Sequence, residues 1–141
     1  PKAQEKGINL VLENPTYMVE ADRSRIRQVL TNLIENAIAY SDEGTVRCRI
    51  RRRLEKVRVE VVDTGKGIPE DHLDRIFERF YRVDPGRSRK SGGTGLGLSI
   101  VKQIMQAHGE TMHVESTLGR GTRFWFDLPF AGKTAELEAT E

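Results

Sequence analysis

The segment from Asp22 to Ser41 constrains the fold most, because its apolar residues follow a single helical stripe. The stripe residues recur at steps of three and four: Ile26, Val29, Leu30, Leu33, Ile34, Ala37 and Ile38. This spacing places them on one face of an α-helix. Asp22 is a good N-cap for the first turn. We therefore predict a long helix with one buried side.

The segment after this helix alternates in a way that predicts a β-hairpin. Apolar residues take one face and arginines the other: Val46, Cys48 and Ile50 against Arg47, Arg49 and Arg51. Alternating valines return after a turn near residues 54–56, so the arginine face should lie opposite Arg58 and Glu60 of the second strand. We expect these arginines to point to solvent. With no aromatic residue interleaved for stacking, the run does not predict a nucleic-acid site.

Further elements complete a mixed order of strands and helices. Two short strands precede the long helix, and "TMHVES" and "TRFWFDLP" read as two more. "PEDHLDRIFERFYRV" and "GLSIVKQIMQAH" have helical spacing. We predict an α/β (α+β) two-layer sandwich, with a mixed sheet of about five strands covered on one face by about three helices. The expected domain spans 1–130, with a flexible tail at 131–141.

Composition excludes several classes of protein. The 141 residues fit one domain, and the net charge of +2 predicts neither nucleic acid nor an anionic membrane as partner. The single cysteine, Cys48, cannot form an internal disulfide. No apolar run approaches the roughly 18 residues of a membrane span. The chain starts without methionine, so we expect it to be part of a longer protein.

The stretch "VVDTGKGIPE" at 61–70 has two interpretations. Asp63-Thr64-Gly65 is the tripeptide of aspartic proteases, which need two such units on a nearly all-β scaffold. Two amphipathic helices argue against that class. The same residues form Asp-x-Gly-x-Gly-Ile, a pattern that holds the adenine of ATP.

Two other features point to phosphate and metal chemistry. Asn32 and Asn36 lie one helical turn apart at the border of the apolar stripe, and an amide oxygen suits Mg²⁺. Taken alone, the two asparagines are more typical of solvated residues at a helix border. The glycine-rich "GGTGLGLS" at 92–99 leads into a helix, whose N-terminal N–H groups attract anions. It does not have the spacing of a P-loop or a dinucleotide fingerprint.

Five ordered motifs closely resemble the catalytic, ATP-binding domain of sensor histidine kinases, members of the Bergerat ATPase fold. They are "NLIENA", "DTGKGI", "FERFYR", "GGTGLGLSIVK" and "GRGTRF", and the resemblance covers about 6–129. It implies a protein-histidine kinase that binds ATP with Mg²⁺ and passes the γ-phosphoryl to a histidine.

The resemblance also implies roles for individual residues. Asn36 would coordinate Mg²⁺, Asp63 would accept the adenine amino proton, and Thr122 would assist at the adenine edge. Asn32 and Arg82 would act on the phosphate side, with Arg82 near the γ-phosphate. The remaining expected nucleotide contacts are Tyr40, Gly65, Gly67, Ile68, Gly93, Thr94, Gly95, Leu96, Gly97 and Leu98.

Two departures from the family pattern matter. Many members have a lysine where this chain has Ala39, which puts one phosphate contact in doubt and leaves open a nucleotide-binding module without transfer activity. Hydrolysing relatives such as gyrase, MutL and Hsp90 have a water-activating glutamate where this chain has Asn32. Transfer therefore fits better than hydrolysis.

The expected acceptor and partners lie outside the chain. None of the histidines, His72, His108 and His113, has the family's His-Glu setting. The isolated domain should therefore bind ATP without labelling itself. The resemblance implies a cytoplasmic domain of a homodimeric, membrane-anchored protein, with a dimerisation domain that carries the acceptor and a response regulator receiver domain as partners. It implies no nucleic-acid partner.

Overall fold

The computed structural model describes residues 8–12, 17–39, 41, 44–81 and 97–132. Within these residues, a six-stranded mixed sheet packs against two α-helices. The elements in chain order are β1 Ile8–Leu12, β2 Met18–Val19, α1 Arg23–Ala39, β3 Gly44–Arg53, β4 Lys56–Asp63, a 3₁₀ helix Glu70–His72, α2 Gly97–Ala107, β5 His113–Thr117 and β6 Gly121–Gly132. The predicted two-layer α/β class is confirmed.

The sheet is centred on β4 and β6. Its order is β1-β3-β4-β6-β2, and β5 also pairs with β6. Among the strands of the described residues, β1 and β3 pair in parallel and the other pairs are antiparallel. Strand β6 continues two residues into the predicted tail, whose residues 133–141 lie outside the described part of the chain. The long antiparallel β4–β6 pairing brings Asp63 opposite Thr122, so two predicted site residues meet at one end of the sheet.

Helix α1 forms as its sequence predicts. The Asp22 Oδ1 atom accepts hydrogen bonds from the backbone N–H groups of Ser24 and Arg25, at 3.1 and 3.2 Å. Two of the first four amide groups of the helix are thereby satisfied. The side chains of Val29 and Leu33 are fully buried in the core between helix and sheet. Neither described α-helix has the length and hydropathy of a membrane span.

The third predicted helix, at 69–83, differs in type. It begins as the 3₁₀ helix and continues as successive turns with i→i+3 hydrogen bonds, from His72 N–H to Pro69 O and onward to Tyr81 N–H. Its apolar side chains still pack inward. Ile76 is buried, and the Phe77 ring meets Phe124 edge-on at 6.1 Å. Tertiary packing therefore uses the apolar spacing without a regular α-helix.

The arginine-bearing face of the sheet has the predicted register, with Arg49 opposite Glu60 and Arg51 opposite Arg58. One outcome was not predicted: Glu60 is only 2% exposed. Its carboxylate accepts from Arg123 at 2.9 Å, and the Arg51 Nε lies 3.8 Å from it. An aromatic ring is also present, because the neighbouring strand β6 supplies Trp125, over which the Arg123 guanidinium stacks at 3.9 Å.

Candidate functional site

Asp63 lies at the last position of β4, with its carboxyl group largely buried. The residue is 8% exposed, and its Oδ1 accepts the backbone N–H of Gly65 at 2.9 Å. Burial raises the pKa of the Asp63 carboxyl, while hydrogen bonds from the backbone N–H groups of Gly65 and Thr122 act in the opposite direction. A buried carboxylate with a free acceptor position suits a ligand that donates N–H protons.

The loop that follows Asp63 is held against the turn between β5 and β6. The backbone N–H of Gly119 donates to Lys66 O at 2.7 Å, and the N–H of Ile68 donates to the Ser116 hydroxyl at 2.7 Å. Gly67 adopts φ +78°, and a Cβ there would lie 2.3 Å from the Thr117 carbonyl oxygen. Only glycine fits this conformation and this contact. The predicted adenine loop is therefore held by backbone contacts and by the Ser116 side chain.

Gly121 produces a similar close approach on the other side of the site. It has φ +138°, and a Cβ there would lie 2.0 Å from the Asp63 carbonyl oxygen. The backbone at the start of β6 can therefore approach the end of β4, where Asp63 pairs with Thr122. The sequence contained this glycine in "GRGTRF" but gave no reason to assign it a steric role.

Asn32 connects the long helix to the start of α2. Its Nδ2 donates to the carbonyl oxygen of Gly97 at 3.3 Å. Gly97 is the last glycine of the glycine-rich stretch and the first residue of α2, and within the described chain a Cβ there would meet no atom inside 4 Å. Leu98 follows and packs against the core. The helix asparagine thus lies beside the N-terminus of α2, where N–H groups favour an anion.

Asn36 lies one turn beyond Asn32 on the same border of α1 and is half-buried. No side-chain hydrogen bond of Asn36 occurs among the described residues. The described residues contain no cluster of three or more His, Cys, Asp or Glu side chains that could hold a metal ion. A single neutral oxygen fits Mg²⁺ that retains waters and binds phosphates.

The structure brings the predicted adenine-side residues together: Asp63, Gly65, Gly67, Ile68 and Thr122 surround the junction of β4 with its following loop and with β6. It also joins Asn32 to Gly97. Six predicted residues lie outside the described part of the chain: Tyr40, Arg82, Gly93, Thr94, Gly95 and Leu96. Their roles stay predictions.

Sequence reasoning missed Ser116, whose side chain contacts Ile68, Gly121 and Thr122 on the adenine side of the candidate site. Its hydroxyl accepts from Ile68 N–H, lies 2.8 Å from the Thr122 hydroxyl and lies 3.0 Å from the Gly121 carbonyl oxygen. A signal was available, because the predicted "TMHVES"–"TRFWFDLP" hairpin places Ser116 near Thr122. The hairpin register, which pairs the two directly, was not evident from the sequence.

Each histidine has a packing partner in the structure. The His72 Nδ1 contacts the Tyr81 hydroxyl, and His113 stacks on Trp125 at 5.0 Å. The His108 Nδ1 lies 2.8 Å from Ile104 O, and its Nε2 accepts the backbone N–H of Asp22 at 3.1 Å. Nδ1 therefore carries the proton and donates to that carbonyl. These contacts fit structural roles.

Comparison with known proteins gives one family. The model for "Histidine kinase-, DNA gyrase B-, and HSP90-like ATPase" matches residues 21–132. Sensor histidine kinase WalK of Bacillus subtilis (strain 168) is 46% identical over 115 residues, covering 79% of this chain and 19% of WalK. This chain therefore spans about a fifth of that relative.

Solved structures agree with this similarity. Full-length ShkA in complex with AMPPNP superposes with a TM-score of 0.82 at 38% identity, covering 94% of this chain and 27% of that one. Histidine kinase ThkA in complex with response regulator protein TrrA superposes with a TM-score of 0.73 at 35% identity, covering 96% of this chain and 37% of that one.

Proposed function

The chain belongs to the family of histidine kinase-, DNA gyrase B- and HSP90-like ATPases, and from this we propose that it is the ATP-binding catalytic domain of a two-component sensor histidine kinase. In this proposal the domain binds ATP with Mg²⁺ and presents the γ-phosphoryl to a histidine on a dimerisation domain outside this chain. A response regulator then takes the phosphoryl group. The similarity to WalK and ShkA supports the choice of kinase among the members of the family.

Recognition of the base rests on the arrangement around Asp63, which is the observation that carries the proposal. Its carboxylate is buried, oriented by Gly65 N–H, and directly opposite Thr122. An exocyclic amino group is the complementary donor. Ile68 supplies an apolar side chain beside the same loop and packs against the core. The burial of Asp63 excludes water and strengthens a hydrogen bond from the base.

Phosphate binding is assigned to the N-terminus of α2, beside Asn32. The Asn32 side chain holds the Gly97 carbonyl, so α1 and the first turn of α2 are fixed relative to each other. The first N–H groups of α2 then favour a negative charge. Asn36 would hold Mg²⁺, which supplies charge neutralisation to phosphates when bound. Asn32 replaces the glutamate of hydrolysing relatives, which supports transfer over hydrolysis.

The phosphoryl acceptor is proposed to lie outside this chain. His72, His108 and His113 each have a packing contact within the described fold, which supports an external acceptor. The complex of ThkA with TrrA supports a response regulator as the next partner. Following the family resemblance, we propose that the full-length protein is a membrane-anchored homodimer.

Phosphotransfer by the full-length protein tests the function. Incubation with γ-labelled ATP and Mg²⁺ should give an acid-labile, alkali-stable label, as a phosphohistidine does. This chain alone should bind ATP and acquire no label. ATP binding by a full-length protein that never becomes labelled would instead indicate a nucleotide-binding module, the alternative that Ala39 leaves open. Rapid ATP hydrolysis by this chain alone would contradict the role given to Asn32.

A further inference from the structure

Ser116 links three parts of the adenine side of the proposed site. Its half-buried hydroxyl lies 2.7 Å from the Ile68 nitrogen, 3.0 Å from the Gly121 carbonyl oxygen and 2.8 Å from the Thr122 Oγ1. Ile68 belongs to the loop after Asp63, whereas Gly121 and Thr122 begin β6. One side chain thus connects the loop, the strand and a predicted base contact.

The donors and acceptors around Ser116 fix the direction of these bonds. A serine hydroxyl has one proton and two lone pairs. The Ile68 N–H occupies one lone pair, and the Gly121 carbonyl oxygen can only accept. If Ser116 donates to Gly121 and accepts from Thr122, each of these groups has a partner. Buried polar groups are satisfied in this way as a rule.

This direction of bonding sets what Thr122 offers to a ligand. Because the Thr122 proton is used on Ser116, only oxygen lone pairs remain toward the site. Thr122 is 6% exposed and pairs directly with Asp63 in the β4–β6 ladder. Directly paired residues have Cβ atoms about 5 Å apart. The carboxylate and the hydroxyl oxygen are therefore two neighbouring acceptors.

Building on the proposed ATP-binding function, we propose that Ser116 is a specificity-determining positioning residue, which makes the site select a 6-amino purine over a 6-oxo purine. A 6-amino group has two protons for the two acceptors. A 6-oxo group would bring lone pairs against lone pairs, and such unpaired polar contacts oppose binding. Ser116 acts through Thr122 and Ile68 and has no contact with the base in this assignment.

The test compares ATP with inosine triphosphate, which carries a 6-oxo group and an N1 proton in place of the amino edge. Calorimetric titration of this chain with each nucleotide and Mg²⁺ gives an affinity ratio. Ser116→Ala should lower ATP affinity about tenfold and change inosine triphosphate affinity less than about twofold. Ser116→Thr retains the hydroxyl and should restore most of the ratio. Thr117→Ala removes an exposed neighbouring hydroxyl and should leave the ratio unchanged.

The outcomes separate this inference from the function on which it rests. Failure of the wild-type chain to bind ATP would overturn both. Tight ATP binding by the wild type, with the same ratio in Ser116→Ala, would overturn the inference alone. An equal loss of affinity for ATP and for inosine triphosphate in Ser116→Ala would also overturn the inference, because a purely structural defect weakens the binding of both nucleotides. If Ser116→Ala does not fold, as judged by Trp125 fluorescence, the ratio measured for Ser116→Thr decides: a ratio near one overturns the inference, and a wild-type ratio supports it.

Discussion

Substitution of Asp63 by asparagine should separate nucleotide binding from folding. The shape is kept, and the asparagine oxygen can still accept the Gly65 N–H that Asp63 accepts at 2.9 Å. The new NH₂ group then faces the amino group of adenine, donor against donor. Loss of a charge-assisted hydrogen bond costs about 1.5–3 kcal/mol. We expect ATP affinity to fall roughly ten- to hundredfold by titration calorimetry.

The same substitution should change how stability depends on pH. Burial raises the pKa of Asp63 above its ordinary value of 3.8, so the folded protein holds this proton more strongly than the unfolded chain does. Between 3.8 and the raised pKa, the unfolded state therefore binds fewer protons, and the free energy of unfolding falls as pH rises. Asp63→Asn removes this decrease. The variant should then be at least as stable as the wild type at neutral pH.

Urea unfolding at pH 4 and pH 7, beside calorimetry with ATP, measures both effects. Asp71→Asn is the matched control, because that carboxylate is exposed in the 3₁₀ helix. It should change neither affinity nor stability. Unchanged ATP affinity in Asp63→Asn would remove Asp63 from the site. A variant clearly less stable than the wild type at pH 7 would refute the assignment of a desolvated, destabilising carboxylate.

Three further predictions address the metal, the core and the helix cap. Asn36→Ala should reduce the gain in ATP affinity that Mg²⁺ produces and leave metal-free binding nearly unchanged; calorimetry with and without Mg²⁺ tests this, and full metal dependence in the variant would contradict it. Leu33→Ala, at a fully buried position, should lower the free energy of unfolding by about 2–5 kcal/mol. Leu54→Ala, at a site 89% exposed, is its control in the same urea titration. The N–H of Arg25 and the Ser24 hydroxyl lower the pKa of Asp22, so its stabilisation is present above 3.8 and is lost as pH falls through the lowered pKa. In Asp22→Ala, the free energy of unfolding should therefore fall less steeply as pH is lowered into the acid range than in the wild type. Urea titrations at several acid pH values test this, and the same pH dependence in both proteins would contradict the capping role of Asp22.

Local patterns in the sequence determined the elements whose periodicity is continuous. The stripe and cap at Asp22 predicted α1, and alternation predicted β3 and β4 with the turn between them. Both signals depend on residues within a few positions of one another. The ordered motifs added the family, and the family model agrees with that resemblance.

Other features were decided only by contacts between distant residues. The apolar spacing at 69–83 predicted a helix, but Ile76 and Phe77 reach the core from a chain of 3₁₀-type turns. Glu60 is buried, and its carboxylate accepts a hydrogen bond from Arg123 of β6, 63 residues away. Alternation alone predicts a face for such a residue and not its neighbours across the sheet.

In the candidate site, too, some features were predictable from local sequence patterns and others depend on tertiary contacts. The sequence identified Asp63 and Thr122 as separate motif residues, since each lies in a short recognisable pattern. Their direct pairing and the bond between Ser116 and Thr122 follow from the β4–β6 and β5–β6 registers. The raised pKa of the Asp63 carboxyl follows from its burial in the folded chain. Register between strands far apart in the chain is set by the packing of the whole core, because no local interaction distinguishes one alignment from the next. The sequence thus predicted most residues of the candidate site, and the tertiary structure determined which of them lie next to one another.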